Sequence, residues 1–175
     1  MATQRVRVDD GVELAVRVDE PSREAAADAP APTVVCVHGY PDNASLWDGV
    51  AAELAGRFRV VTYDVRGAGA SDRPRSRDAY RLDRLAADLA AVVDAVSPDG
   101  PVHLLAHDWG AIQTWHAVTG EWLRGRVSSF TSISGPCLDH AGHWFRDNLR
   151  RPSAWRDLVR QAVHSAYIGF FQLPV

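Results

Sequence analysis

A five-residue segment of the sequence, Ala-His-Asp-Trp-Gly at 106–110, combines a carboxylate with small residues on either side. It follows an apolar run beginning at Val102 that predicts a buried strand, and helical spacing starts at about Ala111. Such a sharp strand-to-helix turn is typical of a nucleophile elbow, which holds its central side chain at the carboxyl end of a sheet, near the positive end of a helix. A carboxylate there, Asp108, can attack an sp3 carbon and form an ester that water later cleaves. The alternative is a plain strand–turn–helix connection with a capping aspartate.

A second loop could supply donors for a developing negative charge. The apolar run Thr33–Val37 predicts a central strand, and His-Gly-Tyr-Pro follows it directly. Gly39 permits an unusual backbone angle and Pro41 fixes the turn, so the loop can aim a backbone N–H at the site. Together with the N–H of Trp109 this would make a two-donor oxyanion hole. We expect His38 to be a structural hydrogen-bonding residue; the alternative for the whole loop is an ordinary strand-to-helix connection.

A glycine-rich segment, residues 64–72, has the composition of a phosphate-binding loop but not its pattern. It does not read G-x-G-x-x-G, and no helix is predicted to begin at its end. We therefore expect a tight loop braced by Arg66 and the two aspartates, Asp64 and Asp72.

Strands and helices alternate along the rest of the chain. An Asp-Gly hairpin is predicted first, followed by single strands separated by helices. The predicted strands cover 5–8, 12–18, 33–37, 59–63, 102–107 and 127–134, and the helices 45–54, 79–96 and 111–119. Ser45 with Asp48 resembles a capping box, and the second helix is expected to turn Asp83, Asp88 and Asp94 to water. This pattern predicts an α/β fold with a mostly parallel sheet, an antiparallel start, helices on both faces and a site at the carboxyl ends of the strands.

The character of the chain changes after Gly135. Residues 137–151 are rich in His, Trp, Arg and Asn, and residues 153–171 have the spacing of an amphipathic helix. Since this is no further strand–helix unit, we interpret residues 136–175 as the start of a helical cap, and residues 1–135 as the core that it would cover.

Composition excludes several classes of function. The 175 residues suffice for one domain, and a net charge of −3 without a block of like charge argues against nucleic-acid or membrane-surface binding. No window could span a bilayer, and residues 1–10 hold no apolar signal region. Cys36 and Cys137 are predicted to be reduced, buried thiols of a cytoplasmic protein. We expect no cofactor and no metal.

Taken together, three segments resemble a known family. His38-Gly39-Tyr40-Pro41, residues 64–72 and residues 106–110 are similar to the patterns H-G-x-P, D-x-R-G-x-G-x-S and G-H-D-W-G of the epoxide hydrolase branch of the α/β-hydrolase fold. The branch has Gly where this chain has Ala106, a small residue that the turn can tolerate. His107 and Gly110 match the pattern. The whole chain looks most similar to the N-terminal hydrolase part of bacterial fusions between an epoxide-hydrolase-like domain and a short-chain dehydrogenase.

The resemblance implies roles for individual residues. Asp108 would be the nucleophile that opens a small apolar epoxide, and the backbone N–H groups of Tyr40 and Trp109 would form the oxyanion hole. A cap tyrosine of the family lies upstream of an aromatic-Phe-Gln-x-Pro stretch, which residues 170–174 match, and Tyr167 stands at the tyrosine position. Its phenol would donate to the epoxide oxygen as the ring opens. A packing residue on a helix face is the alternative for Tyr167.

The resemblance also implies parts that this sequence does not supply. The family's general-base histidine and its acid partner follow the last strands, well after the cap. None of the other histidines is a convincing replacement; they are His103, His107, His116, His140, His143 and His164. We therefore expect an N-terminal piece that turns over no epoxide alone and whose partners are the rest of the hydrolase domain and a possible fused dehydrogenase domain.

Three other functions stay open at this point. A haloalkane or haloacetate dehalogenase also uses an elbow aspartate, although those enzymes favour Asn where Tyr40 stands or Arg where Trp109 stands. A non-catalytic remnant would keep the pocket without the chemistry. The chain could also be part of an oxidoreductase whose nicotinamide site lies wholly outside these residues.

Overall fold

The computed structural model describes residues 2–21 and 30–167. The chain divides into two compact units, Met1–Pro136 and Cys137–Val175, which are described separately.

A six-stranded sheet with the order β1-β2-β4-β3-β5-β6 forms the centre of the first unit. The first two strands pair antiparallel and β2 also pairs antiparallel with β4, whereas the β4–β3, β3–β5 and β5–β6 pairs are parallel. The strands are β1 (Ala2–Arg7), β2 (Glu13–Asp19), β3 (Thr33–Val37), β4 (Arg59–Tyr63), β5 (Val102–His107) and β6 (Val127–Ile133). The predicted α/β fold with a mostly parallel sheet and an antiparallel start is confirmed.

Helices cover both faces of this sheet, which is why its central strand is buried along its whole length. The longer helices α2 (Leu82–Val96) and α3 (Trp109–Thr119) pack against one face through the larger apolar cluster, with Leu89, Leu104 and Val35 among its members. On the other face, α1 (Asp48–Leu54) contributes Ala51 to a smaller cluster. Because β3 and β5 are parallel neighbours, they end side by side, and the loops that follow them lie close together.

Several boundaries differ from the sequence expectation because local capping was misassigned. A 3-10 turn, Ala44–Trp47, precedes α1, and its cap is Asn43, whose side chain accepts from the N–H of Ser45 at 3.0 Å. The predicted Ser45 capping box is therefore wrong. Another 3-10 turn, Arg77–Tyr80, precedes α2, so that helix begins at Leu82 and not at residue 79.

One expectation about α2 is wrong in a way that matters for the site. Asp83 and Asp94 are exposed, but Asp88 is buried with only 1% of its surface accessible. A carboxylate is buried only where a cation or several donors satisfy it, and the cation here comes from a distant loop.

The second unit is helical throughout its described part. It contains α4 (Leu138–Leu149), a 3-10 turn at Pro152–Ala154 and α5 (Trp155–Ser165). Helix α4 was not predicted, because polar residues dominate this segment of the sequence. The predicted helix over 153–171 runs beyond the described residues. Cys36 and Cys137 are buried free cysteines, as expected. Among the described residues no helix is long and apolar enough to cross a bilayer.

Candidate active site

Asp108 occupies a strained turn between β5 and α3. Its backbone has φ 54° and ψ −126°, a conformation that is costly for a residue with a side chain, by about 1–3 kcal/mol. The turn is held from both sides: the Asp108 N–H donates to the carbonyl of Ile133 at 2.9 Å, and the Asp108 carbonyl accepts from Ala111 at 3.0 Å. This backbone conformation places the half-buried carboxylate at the carboxyl end of the parallel strands.

Small residues on both sides of the turn permit a close approach of backbone to backbone. A Cβ on Gly110 would overlap the carbonyl of His38 and would lie 2.5 Å from that of Val37. Ala106 is completely buried in the core, so the sheet accommodates its methyl group. The first turn of α3 therefore lies directly against the end of β3, and this brings the loop after β3 to Asp108.

The loop after β3 donates a hydrogen bond to the candidate nucleophile. The backbone N–H of Tyr40 donates to Asp108 Oδ1 at 3.0 Å. A Cβ on Gly39 would overlap that same oxygen and would lie 2.7 Å from the Trp109 nitrogen. The structure thus brings together the two predicted oxyanion-hole amides, Tyr40 and Trp109, at one edge of the Asp108 carboxylate.

His38 is placed to orient this loop. Its Nε2 accepts from the N–H of Val65 at 2.9 Å, so Nδ1 carries the proton and donates to the carbonyl of Gly39 at 2.8 Å. That carbonyl and the Tyr40 N–H belong to one trans peptide unit and point in opposite directions. Fixing the carbonyl on His38 therefore fixes the N–H toward Asp108. Burial lowers the pKa of His38, which keeps the ring in the neutral form that these bonds require.

The loop over residues 64–72 is braced by its aspartates and by Arg66, as expected. Asp64 accepts from the N–H groups of Ala44 at 2.8 Å and Ala70 at 2.7 Å, and Asp72 accepts from Glu13 at 2.9 Å. Arg66 turns inward and holds the loop through two other carboxylates, those of Asp88 and Asp10.

Arg66 joins the buried carboxylate of α2. Its Nε and Nη2 donate to the two oxygens of Asp88 at 2.6 and 2.5 Å, while Nη1 donates to Asp10 at 2.9 Å and to the carbonyl of Ala79 at 2.8 Å. Burial raises the pKa of Asp88, and Arg66 opposes that rise. Burial raises the pKa of Asp10 as well, but the hydrogen bonds from Arg66 and Val12 and the charges of Arg66 and Arg84 together outweigh it, so the pKa is lowered. These contacts tie the loop after β4 to α2 and to the β1–β2 hairpin.

A cleft of about 530 Å³ lies between these loops and the first turn of α3. Its walls include Tyr40, Val65, Leu85 and Trp109, and Gln113 also lines it. Sequence reasoning missed Gln113 and the contribution of Leu85. The spacing in the sequence could have indicated Gln113. It lies four residues after Trp109 and four before Ala117, so it is a polar residue on the same helix face as these two.

The remaining candidates are three histidines of the first unit and a tyrosine of the second. His107 is half-buried on β5, where its Nδ1 has no partner among the described residues. His103 bonds the hydroxyl of Ser129 at 2.8 Å, and His116 bonds Asp83 at 3.0 Å. Tyr167 belongs to the second unit, just after α5, and its side chain is exposed. Residues 170–174, which carry the rest of its motif, lie outside the described residues.

No group of three or more His, Cys, Asp or Glu side chains within residues 2–21 and 30–167 is arranged to hold a metal ion.

A family model described as alpha/beta hydrolase fold matches residues 32–168. The chain belongs to the α/β-hydrolase fold family. The match covers the elbow, the loop after β3 and most of the second unit, so it includes every candidate site residue from His38 to Tyr167.

Relatives of this α/β-hydrolase are named as a probable oxidoreductase and as epoxide hydrolases. It is 44% identical over 169 residues to the probable oxidoreductase EphD of Mycobacterium tuberculosis, which covers 95% of this chain and 27% of that protein. It is 36% identical over 173 residues to epoxide hydrolase A of the same organism, which covers 98% of this chain and 48% of that protein. The chain therefore spans about a quarter to a half of these curated relatives.

Solved structures agree with the sequence relatives. A mutant epoxide hydrolase of Vigna radiata superimposes with a TM-score of 0.68 and 29% identity, covering 78% of this chain and 39% of that one. The structure of epoxide hydrolase A from Mycobacterium thermoresistibile gives a TM-score of 0.62 at 29% identity, with coverage of 75% and 38%. The chain is thus an epoxide hydrolase-like α/β-hydrolase by family and structure.

Proposed function

We propose that this protein is an epoxide hydrolase and that Asp108 is its nucleophile. The observation that carries the proposal is the hydrogen bond from the Tyr40 N–H to Asp108 Oδ1 at 3.0 Å, on a strained turn beside the Trp109 N–H. A bound Oδ1 leaves Oδ2 as the attacking atom. Residues 1–135 are the core that presents this site, and residues 136–175 are the first part of its cap.

In the first step, Oδ2 of Asp108 attacks a carbon of the oxirane. A C–O bond to Oδ2 forms, the ring C–O bond breaks, and its electron pair goes to the ring oxygen. The phenol of Tyr167 donates a proton or a strong hydrogen bond to that oxygen. The product is an ester between Asp108 and the opened substrate.

In the second step, water attacks the ester carbon of Asp108. The carbonyl oxygen, Oδ1, becomes an oxyanion and is stabilised by the N–H groups of Tyr40 and Trp109. Collapse of this intermediate breaks the bond between the ester carbon and Oδ2, which leaves as an oxygen of the diol. The carboxylate is restored with the oxygen of water. Of the two protons of water, one goes to the leaving oxygen and the other replaces the proton that Tyr167 supplied. A base must take the proton from water. His38 is already committed through both ring nitrogens, and His103 and His116 are bonded to Ser129 and Asp83. We propose that the base and its acid partner lie outside these 175 residues.

The similarity to EphD suggests a longer polypeptide with a further domain. We propose that the chain corresponds to the hydrolase part of such a protein and that the remainder of the hydrolase domain, with a dehydrogenase domain, completes it. The sequence contains no G-x-G-x-x-G segment, so a nicotinamide site of that kind would belong to the other domain.

The proposal is tested by intact mass. The 175-residue chain, 19.1 kDa, is mixed with styrene oxide. We expect the mass of one epoxide to be added and retained, since attack proceeds but hydrolysis lacks its base. The variant Asp108→Asn is expected to show no adduct, whereas Asp139→Asn, which changes an exposed carboxylate on α4, keeps it.

Two results would contradict the proposal. An adduct that persists in Asp108→Asn would place the nucleophile elsewhere. Failure of both the adduct and diol formation in the full-length protein, together with halide release from a haloalkane, would assign the site to a dehalogenase. Sustained diol production by the 175-residue chain would refute the proposal that the base lies outside these residues, but not the assignment of Asp108 as the nucleophile.

A further inference from the structure

Gln113 is a buried polar side chain with one amide atom, Oε1, left without a partner among the described residues. It lies one turn into α3, with only 2% of its surface exposed. Its Oε1 is buried and accepts no hydrogen bond from any of the described residues. A buried acceptor without a donor costs free energy, so a side chain of this kind calls for an explanation.

A cleft lined by Tyr40 and Trp109, which flank the Asp108 turn, is where this amide can meet a ligand. Gln113 lines the cleft of about 530 Å³ together with Trp109, and it follows Trp109 by four residues on the same helix. Side chains at this spacing are neighbours, about 6 Å apart along the helix axis. Gln113 therefore stands one helical turn deeper than the residue whose N–H we assign to the oxyanion hole.

The other buried polar groups of the cleft, Arg66 and His38, do not satisfy Gln113. Both ring nitrogens of His38 are bonded, to Gly39 and Val65. Arg66 also lines the cleft, but its donors are directed to Asp88, Asp10 and the carbonyl of Ala79. Much of the surrounding wall is apolar, with Val65 and Leu85 among its residues. A ligand entering here meets this apolar surface, the Gln113 amide and the polar side chains of Asp42, Asn43 and Arg73, which are not buried.

The chemistry of that amide selects the ligand. An amide oxygen needs a donor, its NH₂ group needs an acceptor, and a hydroxyl can serve as either. We propose that Gln113 is a specificity-determining residue and that the cleft accepts epoxides carrying a hydroxyl about one helical turn from the oxirane. This inference rests on the proposed function. A substrate without the hydroxyl would bury the amide unpaired, and sites built to hydrogen-bond a group discriminate strongly against its absence.

Two epoxides of nearly equal shape test the inference in the full-length protein. They are para-(hydroxymethyl)styrene oxide and para-ethylstyrene oxide, which differ by a hydroxyl in place of a methyl group. We expect kcat/KM to favour the hydroxylated epoxide about tenfold, the effect of one hydrogen bond. In Gln113→Met, which keeps the length of the side chain, the preference is expected to fall to about one. Gln161→Met, a matched change on an exposed part of α5, should retain the preference.

Equal kcat/KM values for the two epoxides in the unaltered protein would overturn the inference, because Gln113 would then be satisfied by internal water. A preference that survives in Gln113→Met would overturn it as well. Binding separates this failure from that of the proposed function. If neither epoxide reacts, tighter binding of terephthalyl alcohol than of para-ethylbenzyl alcohol, lost in Gln113→Met, still supports the cleft assignment. Equal binding of the two alcohols contradicts it.

Discussion

Replacement of Arg66 by Met removes the cation that makes a buried carboxylate tolerable. The Arg66 side chain has no exposed surface and that of Asp88 has 1%, and two hydrogen bonds of 2.5 and 2.6 Å join them. Methionine fills a similar volume but leaves Asp88 ionised, or forces it to take up a proton, in a site without a donor from residue 66.

The size of the expected stability loss follows from this burial. Breaking a buried ion pair by removing one partner costs about 3–5 kcal/mol, because the remaining charge is desolvated and unpaired. For a domain of this size such a loss lowers Tm by about 6–20 °C. Asp10 contributes less to the penalty, since 23% of its side chain reaches water and can be solvated there.

Chemical denaturation at neutral pH measures the free energy of unfolding directly. Arg84→Met is the matched control: its ion pair with Asp9 spans 3.8 Å between side chains that are 46% and 71% exposed. An exposed pair of this kind contributes less than about 1 kcal/mol. In the double variant Arg66→Met with Asp88→Leu, no charge remains buried at this position, and we expect most of the lost stability to return.

A loss in Arg66→Met no larger than that in Arg84→Met would refute the reasoning. A double variant that is as unstable as Arg66→Met alone would show that the cost came from packing and not from the stranded charge.

Three further outcomes are expected. Burial lowers the pKa of His38 below its ordinary 6.5, so the unfolded chain binds a proton that the folded chain does not bind. The free energy of unfolding should therefore fall as the pH drops below about 6.5. When it is measured by urea denaturation at several pH values, His38→Gln should show a weaker dependence on pH. Gly39→Ala should slow ester formation about a hundredfold or more in stopped-flow assays, because the methyl overlaps Asp108 Oδ1, whereas Gly49→Ala, with open space around it, should not. Tyr167→Phe should slow the same step roughly a hundredfold in the full-length protein, and an unchanged rate would leave Tyr167 a surface residue.

Local patterns in the sequence were enough to identify the strands, the elbow and the loop after β3. Apolar runs, small residues and prolines act over a few positions, so Thr33–Val37 and residues 106–110 could be interpreted without knowledge of the rest of the chain. The same locality explains the errors. The helix α4 was missed because its polar composition hides its spacing, and the cap of α1 was assigned to Ser45 although Asn43 performs it.

Only the tertiary structure decided which polar residues are buried and what they meet. Asp88 had the spacing of a solvent-facing residue, and its partner Arg66 lies 22 positions away. The Tyr40 N–H and the Asp108 carboxylate are separated by 68 positions and meet because β3 and β5 are parallel neighbours. By itself the sequence determined which side chains the chain offers and which local turns it forms. The pairing of strands and the packing of helices on the sheet determined which of those side chains share a site, because these contacts join residues that no local pattern connects.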